Sequence, residues 1–241
     1  MILLLVIHLS LSLKKKNVSK NYYKYFDGRP NIFILFIIKS LSLLNSNGIL
    51  AFILPKNFIN CLYYDKTRKY INENFNILNI IVCSDKYIDT KQETIVLILR
   101  KEKNKKNIKY TYEKSGYTFF GSEEIIKKIT KLYKNSSTLN EMGFKINVGN
   151  IVWNQNKNSL TDDKTKTRLI YSSDISNNKL HFKKYKNEKK KNFIDKDGEN
   201  EPLLVINRGW GVGTYNFNYT LIKGGFNYLI ENHLLCVRYK I

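Results

Sequence analysis

The chain has 241 residues, of which 43% are hydrophobic, so it can build one large or two small domains and is not a wholly disordered chain. Lys and Arg number 41 and Asp and Glu number 20, which gives a net charge of +21. Such an excess favours a polyanionic partner, nucleic acid first and an anionic membrane second, although an AT-rich coding sequence would also raise the lysine content without a functional reason.

The cysteines and the apolar N-terminal run argue against a metalloprotein and a secreted protein. Cys61, Cys83 and Cys236 are scattered, without a CxxC pair or a Cys/His cluster, so we predict neither disulfides nor a metal site, in a reducing, intracellular setting. Residues 1–13 are fewer than the roughly 20 apolar residues that span a bilayer, and they lack the positive start of a signal peptide. We therefore predict a buried strand there and no membrane partner.

Apolar runs and turn residues predict the elements of the first half of the chain. Residues 30–44 are apolar on nearly every face, between Pro30 and a polar turn at residues 45–48, which indicates a buried helix. The next elements are a central parallel strand at residues 49–54, a helix at 63–75, and strands at 77–83 and 94–100. This order of strands and helices predicts an α/β layer structure.

The second half of the chain has a different pattern of apolar and polar residues. Residues 122–133 predict a short helix capped by Ser122. Strand-like pieces then alternate with polar loops, at residues 150–153, 168–171, 203–207 and 219–222. We predict a domain boundary near residues 135–145, with a first domain at residues 1–110, a helical connector at 111–142 and a mainly β or irregular region at 143–241.

Two further segments each leave two interpretations open. Residues 183–191 (KKYKNEKKK) are either a solvated loop or a DNA contact. Residues 209–213 (GWGVG) follow a predicted strand, but a strand-like run comes where a phosphate-binding glycine loop needs a helix, which favours a loop that supports Arg208 and Trp210. With no Ser/His/Asp set, HExxH motif or P-loop, the residues alone show no complete active site.

Two stretches of the chain are similar to a known family of enzymes. Residues 28–101 contain GRPNIFILFIIKSLSLL, NGILAFILPKNFIN, YYDKTRKYINENFNILNIIV and DKYIDTKQETIVLILRK. In order and spacing, these resemble the stretch after the catalytic motif of type II adenine-N6 DNA methyltransferases of the gamma, TaqI-like class. Residues 144–234, with VGNIVWNQNKNSLTDD, TRLIYSSDI and LLVINRGWGVGTYNFNYTLI, look like the specificity region of such enzymes.

The resemblance implies a fold and a methyl donor. The family's catalytic domain is an α/β fold with a mostly parallel seven-stranded sheet that uses S-adenosyl-L-methionine (SAM). Residues 2–9, 49–54, 77–83 and 94–100 would then be strands four, five, six and seven, and strand seven would be the antiparallel one. Strands one to three, with the SAM glycine loop and the ribose-binding carboxylate, would lie upstream of Met1, so we expect the donor site to be absent from this chain.

The family's catalytic motif, Asn-Pro-Pro-Tyr/Phe, falls at the end of strand four, where this chain has Ile7-His8-Leu9-Ser10. Synonymous codons for the first ten residues can be chosen that, read from the third base of the Met1 codon, spell Asp-Phe-Ile-Ile-Gly-Asn-Pro-Pro-Phe, which is the family's motif with its usual lead-in. We therefore hypothesise that a frameshift separates this reading frame from its upstream half, and that the isolated chain is inactive. A different third base at Val6 or His8 would contradict the hypothesis.

The resemblance also suggests roles for individual residues. Tyr87, after strand six, is the candidate for stacking on an adenine flipped out of the duplex, or else an ordinary loop tyrosine. Pro55 and Asn57 would lie at the carboxyl edge of strand five, where open α/β sheets place ligands. The candidate readers of DNA, each of which also has a structural interpretation, are Asn154, Gln155, Arg168, Asp174, Asn207, Arg208 and Trp210.

The expected function is site-specific adenine-N6 methylation of double-stranded DNA, of the restriction–modification type, by a family to which this chain contributes a fragment. The first alternative is a non-catalytic DNA-binding or specificity subunit that acts with a separately encoded N-terminal half. The second alternative is a basic protein anchored to a membrane by residues 1–13, which the region after residue 142 does not favour.

Overall fold

A computed structural model describes residues 2–6, 13–28, 30–83, 93–102, 107–208 and 217–239. The chain divides into two compact units, residues 1–136 and residues 137–241. Within the described ranges, no helix has the length and apolar character needed to cross a bilayer.

The first unit combines helices with a four-stranded sheet and a hairpin. Its elements are β1 (Ile2–Val6), α1 (Ile32–Leu43), β2 (Ile49–Pro55), α2 (Asp65–Asn74), β3 (Asn76–Cys83), β4 (Thr94–Arg100), β5 (Thr111–Lys114), β6 (Tyr117–Phe120) and α3 (Glu123–Lys134). The large sheet has the order β1-β2-β4-β3. The predicted mixed α/β class is confirmed.

Strand directions in this sheet bring several strand ends together. β1 pairs with β2 in parallel, whereas β4 runs antiparallel to both β2 and β3. β2 and β3 therefore point the same way, and the carboxyl ends of β1, β2 and β3 lie at one edge of the sheet with the amino end of β4. The strand expected to be antiparallel, at residues 94–100, is antiparallel to both of its neighbours.

Helix α1 is buried on one side only, although its sequence is apolar on nearly every face. Its N-cap, Asn31, accepts a hydrogen bond from the backbone N–H of Phe33 at 3.3 Å. Its buried residues follow helical spacing and are Phe33, Ile34, Ile37, Ile38 and Leu41. On the other side Phe36 is 41% and Leu43 68% exposed, so the predicted buried helix is instead a helix that covers the core from outside.

The segment predicted as a helical connector, residues 111–142, begins with a β-hairpin. β5 and β6 pair in antiparallel register, and the turn between them holds Ser115 at φ 50° and Gly116 at φ 81°. Two successive positive φ angles match the right-handed twist of a two-residue hairpin. Helix α3 follows with the predicted cap, since the Ser122 side chain accepts from the backbone N–H of Ile125 at 3.5 Å.

The second unit consists of short strands. These are β7 (Phe144–Val148), β8 (Leu160–Thr161), β9 (Thr167–Ile170), β10 (Ile175–Ser176), β11 (Lys179–Leu180), β12 (Phe193–Ile194), β13 (Leu203–Asn207), β14 (Tyr219–Ile222), β15 (Tyr228–Ile230) and β16 (Leu234–Tyr239). They form two four-stranded sheets, β14-β13-β16-β7 and β15-β9-β12-β8, and the pair β10-β11.

The strand predicted at residues 150–153 is wrong. Ile151 makes only an isolated bridge to Glu231, and Trp153–Gln155 form a 3-10 helix. The extended run stops because Asn156 donates its side-chain N–H to the backbone oxygen of Val152 at 2.9 Å, a local contact that competes with strand pairing. The strand of this region is β7, a few residues earlier in the chain.

Candidate nucleic-acid interface

The first candidate region is the sheet edge where β1, β2 and β3 end. Pro55 is the last residue of β2, and Asn57 follows with its side chain exposed. Between them, Lys56 Nζ lies 2.9 Å from Glu93 Oε2, and its backbone N–H donates to the Glu93 carbonyl, next to the amino end of β4. Open α/β sheets place ligands at the carboxyl ends of their strands. Two predicted parts of this site, residues 7–10 and Tyr87, lie outside the described residues.

A buried arginine that the sequence does not mark fixes the turn after β2. Arg68, on α2, is 0% exposed. Its Nη1 donates to the carbonyl oxygens of Phe58 and Cys61, both at 2.8 Å, and its Nε donates to the carbonyl oxygen of Thr118 at 2.5 Å. The turn that follows Pro55 and the hairpin strand β6 are therefore both tied to α2 through one guanidinium.

The charge of Arg68 is only partly compensated. Its Nη2 lies 3.4 Å from Asp65 Oδ1, and Asp65 also accepts the backbone N–H of Thr118 at 2.8 Å and pairs with Lys69 Nζ at 2.9 Å. Burial lowers the pKa of Arg68, and the charge of Asp65 acts in the opposite direction. The one sequence signal for this cluster is the i, i+3 spacing of Asp65 and Arg68, which is also common on solvated helices.

The described residues do not fit a SAM site. A donor loop requires a strand, then glycines whose backbone N–H groups are open to the ligand, then a helix. In the described part of the chain, Gly121 lies directly between a strand, β6, and a helix, α3, but a Cβ there would meet Ile125 Cγ2 at 2.9 Å, so the space beside it is filled by the helix's own side chain.

In the second unit, two of the predicted DNA readers are buried among partners of their own. Arg168 is 7% exposed, with its guanidinium carbon 4.3 Å from the ring centre of Phe182 and 5.3 Å from that of Phe193. Asp174 is 0% exposed and accepts from the backbone N–H of Tyr171 at 3.0 Å. Both residues therefore have partners inside the second unit, and their role as DNA readers stays a prediction.

The other predicted readers have different positions. Asn154 and Gln155 are exposed in the 3-10 helix Trp153–Gln155, and Arg208 is exposed after β13. Trp210, like the rest of the glycine motif, lies outside the described residues. Asn207 is 5% exposed, and its Oδ1 accepts the backbone N–H of Asn218 at 2.8 Å.

A cavity brings two of these residues together. It has a volume of about 520 Å³ and is lined by Ser172, Ser173, Ile175, Ser176, Lys183, Asn207, Arg208, Asn218 and His233. Asn207 and Arg208 had been singled out from the sequence, and Lys183 belongs to the lysine-rich segment. The serines and His233 were missed, because nothing in their local sequence distinguishes them from ordinary loop residues.

The lysine-rich segment, residues 183–191, is fixed at two points. Tyr185 donates its hydroxyl to Asp174 Oδ1 at 2.6 Å. Lys190 Nζ lies 4.1 Å from the ring centre of Tyr171 and 4.2 Å from that of Tyr185, an arrangement in which two aromatic rings attract one cation. Burial lowers the pKa of Lys190 and raises the pKa of Tyr185. The segment is thus an attached loop with exposed lysines between its fixed points.

Part of the first unit matches a known protein family. Residues 7–88 match the family described as Eco57I restriction-modification methylase. The resemblance to type II DNA methyltransferases is confirmed. The matched methylase segment runs from the end of β1 through β3 and so includes α1, α2 and the turn that Arg68 holds.

Two curated methyltransferases align with most of the chain. The type II methyltransferase M.CvrRI of Paramecium bursaria Chlorella virus XZ-6E is 23% identical over 87% of this chain and 54% of its own length. The modification methylase CviBIII of Paramecium bursaria Chlorella virus NC1A is 24% identical over 91% of this chain and 55% of its own length. The chain therefore spans about half the length of these relatives, and both alignments extend beyond the methylase segment into the second unit.

One solved structure, the type IIG restriction endonuclease BpuSI, aligns with 89% of this chain and 37% of its own at 9% identity and a TM-score of 0.33. This likeness is too low to define the fold, which we describe from the protein's own sheets.

Proposed function

We propose that this chain contributes to a site-specific DNA adenine-N6 methyltransferase of the gamma, TaqI-like class, of the restriction–modification type. The methylase match over residues 7–88 carries the proposal, and the sheet that this segment helps to build supports it. In it, strands four to seven would be β1, β2, β3 and β4, which agrees with an antiparallel β4. The second unit would then read double-stranded DNA, consistent with a net charge of +21.

The chemistry of adenine explains what the first unit would do. The exocyclic amine is a poor nucleophile because its lone pair is delocalised into the ring, so the base must be flipped out and held close to the methyl donor. Tyr87 would stack on the flipped base, while Pro55 and Asn57 would form the edge of the pocket that receives it. SAM would supply the methyl group, and we propose that a separately encoded N-terminal half binds it.

Methylation by the reconstituted protein tests this function. The purified chain, with and without the product of the reading frame upstream, is incubated with duplex DNA and SAM labelled in its methyl group, and the DNA is digested to nucleosides. We expect labelled N6-methyladenine only when both halves are present. Label on cytosine would contradict the adenine assignment, and methylation by the chain alone would contradict the need for a second half.

The role of Tyr87 has its own test in the same assay. Stacking of a base on an aromatic ring contributes roughly 1–3 kcal/mol, so Tyr87→Ala should lower kcat/KM about 5- to 150-fold. Tyr87→Phe keeps the ring and should stay close to the wild type. Tyr63→Ala removes a tyrosine that is 59% exposed and serves as the matched control. Equal effects of the Tyr87 and Tyr63 substitutions to alanine would remove Tyr87 from the site.

A second candidate is a DNA-binding or specificity subunit without catalysis of its own. The cavity in the second unit favours it, because the described residues of its lining are rich in hydrogen-bond donors and include no carboxylate. In this case the chain binds duplex DNA in the absence of SAM, and in the reconstituted protein Tyr87→Ala leaves methylation unchanged, because the catalytic groups lie on the separately encoded half. Binding is measured by fluorescence anisotropy of labelled duplex, and a loss of methylation in Tyr87→Ala decides for the first candidate.

A further inference from the structure

The lining of the cavity in the second unit consists mainly of basic residues and neutral hydrogen-bond donors. The walls carry Lys183, Arg208 and His233, together with serine hydroxyls and two asparagine side chains, and the lining residues that the structure describes include no Asp or Glu. Lys and Arg can only donate hydrogen bonds, and a hydroxyl donates readily to an anion. A cavity with this lining suits a negatively charged group.

Asn207 adds a donor at the wall of the cavity. The residue is 5% exposed, and its Oδ1 is occupied by the backbone N–H of Asn218. The hydrogen bond of the Asn207 side chain to Asn218 engages only its Oδ1, which leaves the Nδ2 donor available to a ligand. A two-point contact of asparagine with adenine needs both the oxygen and the nitrogen. Asn207 is therefore better suited to an anion than to reading adenine.

Two carboxylates near the cavity, Asp174 and Glu231, already accept hydrogen bonds from residues of its walls. Asp174 accepts the backbone N–H of Lys183 at 3.4 Å, at the start of the lysine-rich loop. Glu231 accepts the backbone N–H of Ser172 at 3.2 Å and lies 2.7 Å from His233 Nδ1. Of the lining residues, Lys183 and Arg208 carry the permanent positive charges, and both are exposed.

We propose that this cavity binds one phosphodiester group of the DNA backbone, with Lys183 and Arg208 as the charged contacts and Asn207 as a neutral donor. The inference rests on the proposed function, which supplies DNA as the partner. A volume of about 520 Å³ leaves room for a phosphate together with the adjoining sugar. The exposed lysines of residues 183–191 extend the positive surface from Lys183, as a backbone that continues beyond the cavity requires.

The test compares variants of the full chain for binding to labelled duplex DNA over a range of salt concentrations. The double variant Lys183→Gln/Arg208→Gln removes both charged contacts. Lys157→Gln/Lys164→Gln removes the same charge from exposed positions of the same unit outside the cavity. Asn207→Asp keeps the oxygen that accepts from Asn218 and replaces the free donor by a carboxylate oxygen. Circular dichroism verifies that each variant is folded.

The expected result is a change in salt dependence as well as in affinity. Each lost phosphate contact lowers the slope of log K against log salt by about 0.9, so the cavity variant should lose about 3.5-fold less affinity than the wild type between about 50 mM and 200 mM salt. At the lowest salt its affinity should fall about tenfold, equally for unrelated DNA sequences. Asn207→Asp should weaken binding too, and the control pair should keep the wild-type slope.

Three results overturn the proposal in distinguishable ways. If the wild type binds DNA and the cavity variant behaves like the control, the cavity is not a phosphate site, and the proposed function stands. If the wild type does not bind DNA but inorganic phosphate, at an ionic strength matched with chloride, raises its Tm in a Lys183- and Arg208-dependent way, the cavity takes free phosphate, and DNA as its source is refuted. If neither DNA nor phosphate binds, both the inference and the DNA-binding part of the proposed function fail.

Discussion

Replacing Arg68 should selectively destabilise the first unit. The side chain is 0% exposed and donates to three backbone carbonyls while lying 3.4 Å from Asp65. Arg68→Met keeps most of the volume and removes every donor, which leaves three carbonyls without this partner and Asp65 buried with less compensation. Single hydrogen bonds to a charged group contribute about 1.5–3 kcal/mol, but the guanidinium acts as one unit and its own burial is unfavourable.

The net cost follows from these opposing effects. Removing one member of a buried ion pair costs about 3–5 kcal/mol, and we expect Arg68→Met to lower the free energy of unfolding by about 4 kcal/mol. Arg68→Lys retains the charge, but a single ammonium cannot reach the carbonyls of Phe58, Cys61 and Thr118 together, so about half of that loss should remain. Arg100→Met is the control, because Arg100 is 39% exposed and lies 3.6 Å from Glu102, a pair that contributes less than about 1 kcal/mol.

The distribution of helices and tryptophans allows each unit to be followed separately. Among the described residues the α-helices α1, α2 and α3 all lie in the first unit, whereas both tryptophans, Trp153 and Trp210, belong to the second. Urea unfolding followed by far-ultraviolet circular dichroism should therefore show an earlier transition in Arg68→Met, and tryptophan fluorescence should show little change. The reasoning is refuted if Arg68→Met costs no more than Arg100→Met, or if the fluorescence transition shifts as far as the dichroism transition.

Three further predictions concern residues that hold other segments. Burial, followed by the hydrogen bond to Asp174, raises the pKa of Tyr185, so its contribution to stability is complete below about pH 10 and is lost as the pH rises through the folded-state pKa. Tyr185→Phe should thus lower the free energy of unfolding by about 1 kcal/mol at neutral pH. It should also make the loss of stability at alkaline pH shallower, by up to about 1.4 kcal/mol per pH unit. Urea unfolding followed by fluorescence measures both effects, and an unchanged alkaline slope would contradict the role of Tyr185. Asn107 Oδ1 accepts the backbone N–H of Ile77 at 2.7 Å, and its Nδ2, which has two hydrogens, lies 2.9 to 3.1 Å from three acceptors on Asn72 and Phe75. Asn107→Ala should therefore cost at least about 2 kcal/mol in the dichroism transition, and a cost below about 1 kcal/mol would contradict this role. A Cβ at Gly149 would lie 2.2 Å from the carbonyl oxygen of Glu231, so Gly149→Ala should lower the Tm of the second unit by several degrees, and a wild-type Tm would show that the two backbone segments separate easily.

Apolar patterning explains which elements could be predicted from the sequence. β13 and β14 occupy the predicted residues 203–207 and 219–222, because their alternating side chains leave one consistent way to bury an apolar face. The helices at residues 32–43 and 65–74 are also close to their predicted limits. The positions of these elements therefore agree with the predictions, whereas the complete burial expected of the first helix does not.

Polar contacts between distant segments explain what could not be predicted. The hairpin β5–β6 has strands of only four residues, too short for a periodic signal, and it depends on the positive φ angles of Ser115 and Gly116. The cavity of the second unit is lined by residues from several separate segments between Ser172 and His233. Arg208 could be singled out as a basic residue near an unusual loop, whereas its neighbours in space have no shared sequence signal.

The two buried arginines show why a residue type alone does not define a role. Arg68 and Arg168 are 0% and 7% exposed, yet the sequence suggested a DNA contact for Arg168 and nothing for Arg68. Arg68 is held by carbonyls from two distant segments, whereas Arg168 lies 3.8 Å from Asp174 and against two aromatic rings, with Nε and Nη2 lacking hydrogen-bond partners among the described residues. Rings attract a cation but accept few directed hydrogen bonds, so Arg168 is the less fully compensated of the two. Arg168 therefore serves the packing of Phe182 and Phe193, and under the proposed function the contacts to DNA phosphates would come from exposed cations such as Lys183 and Arg208.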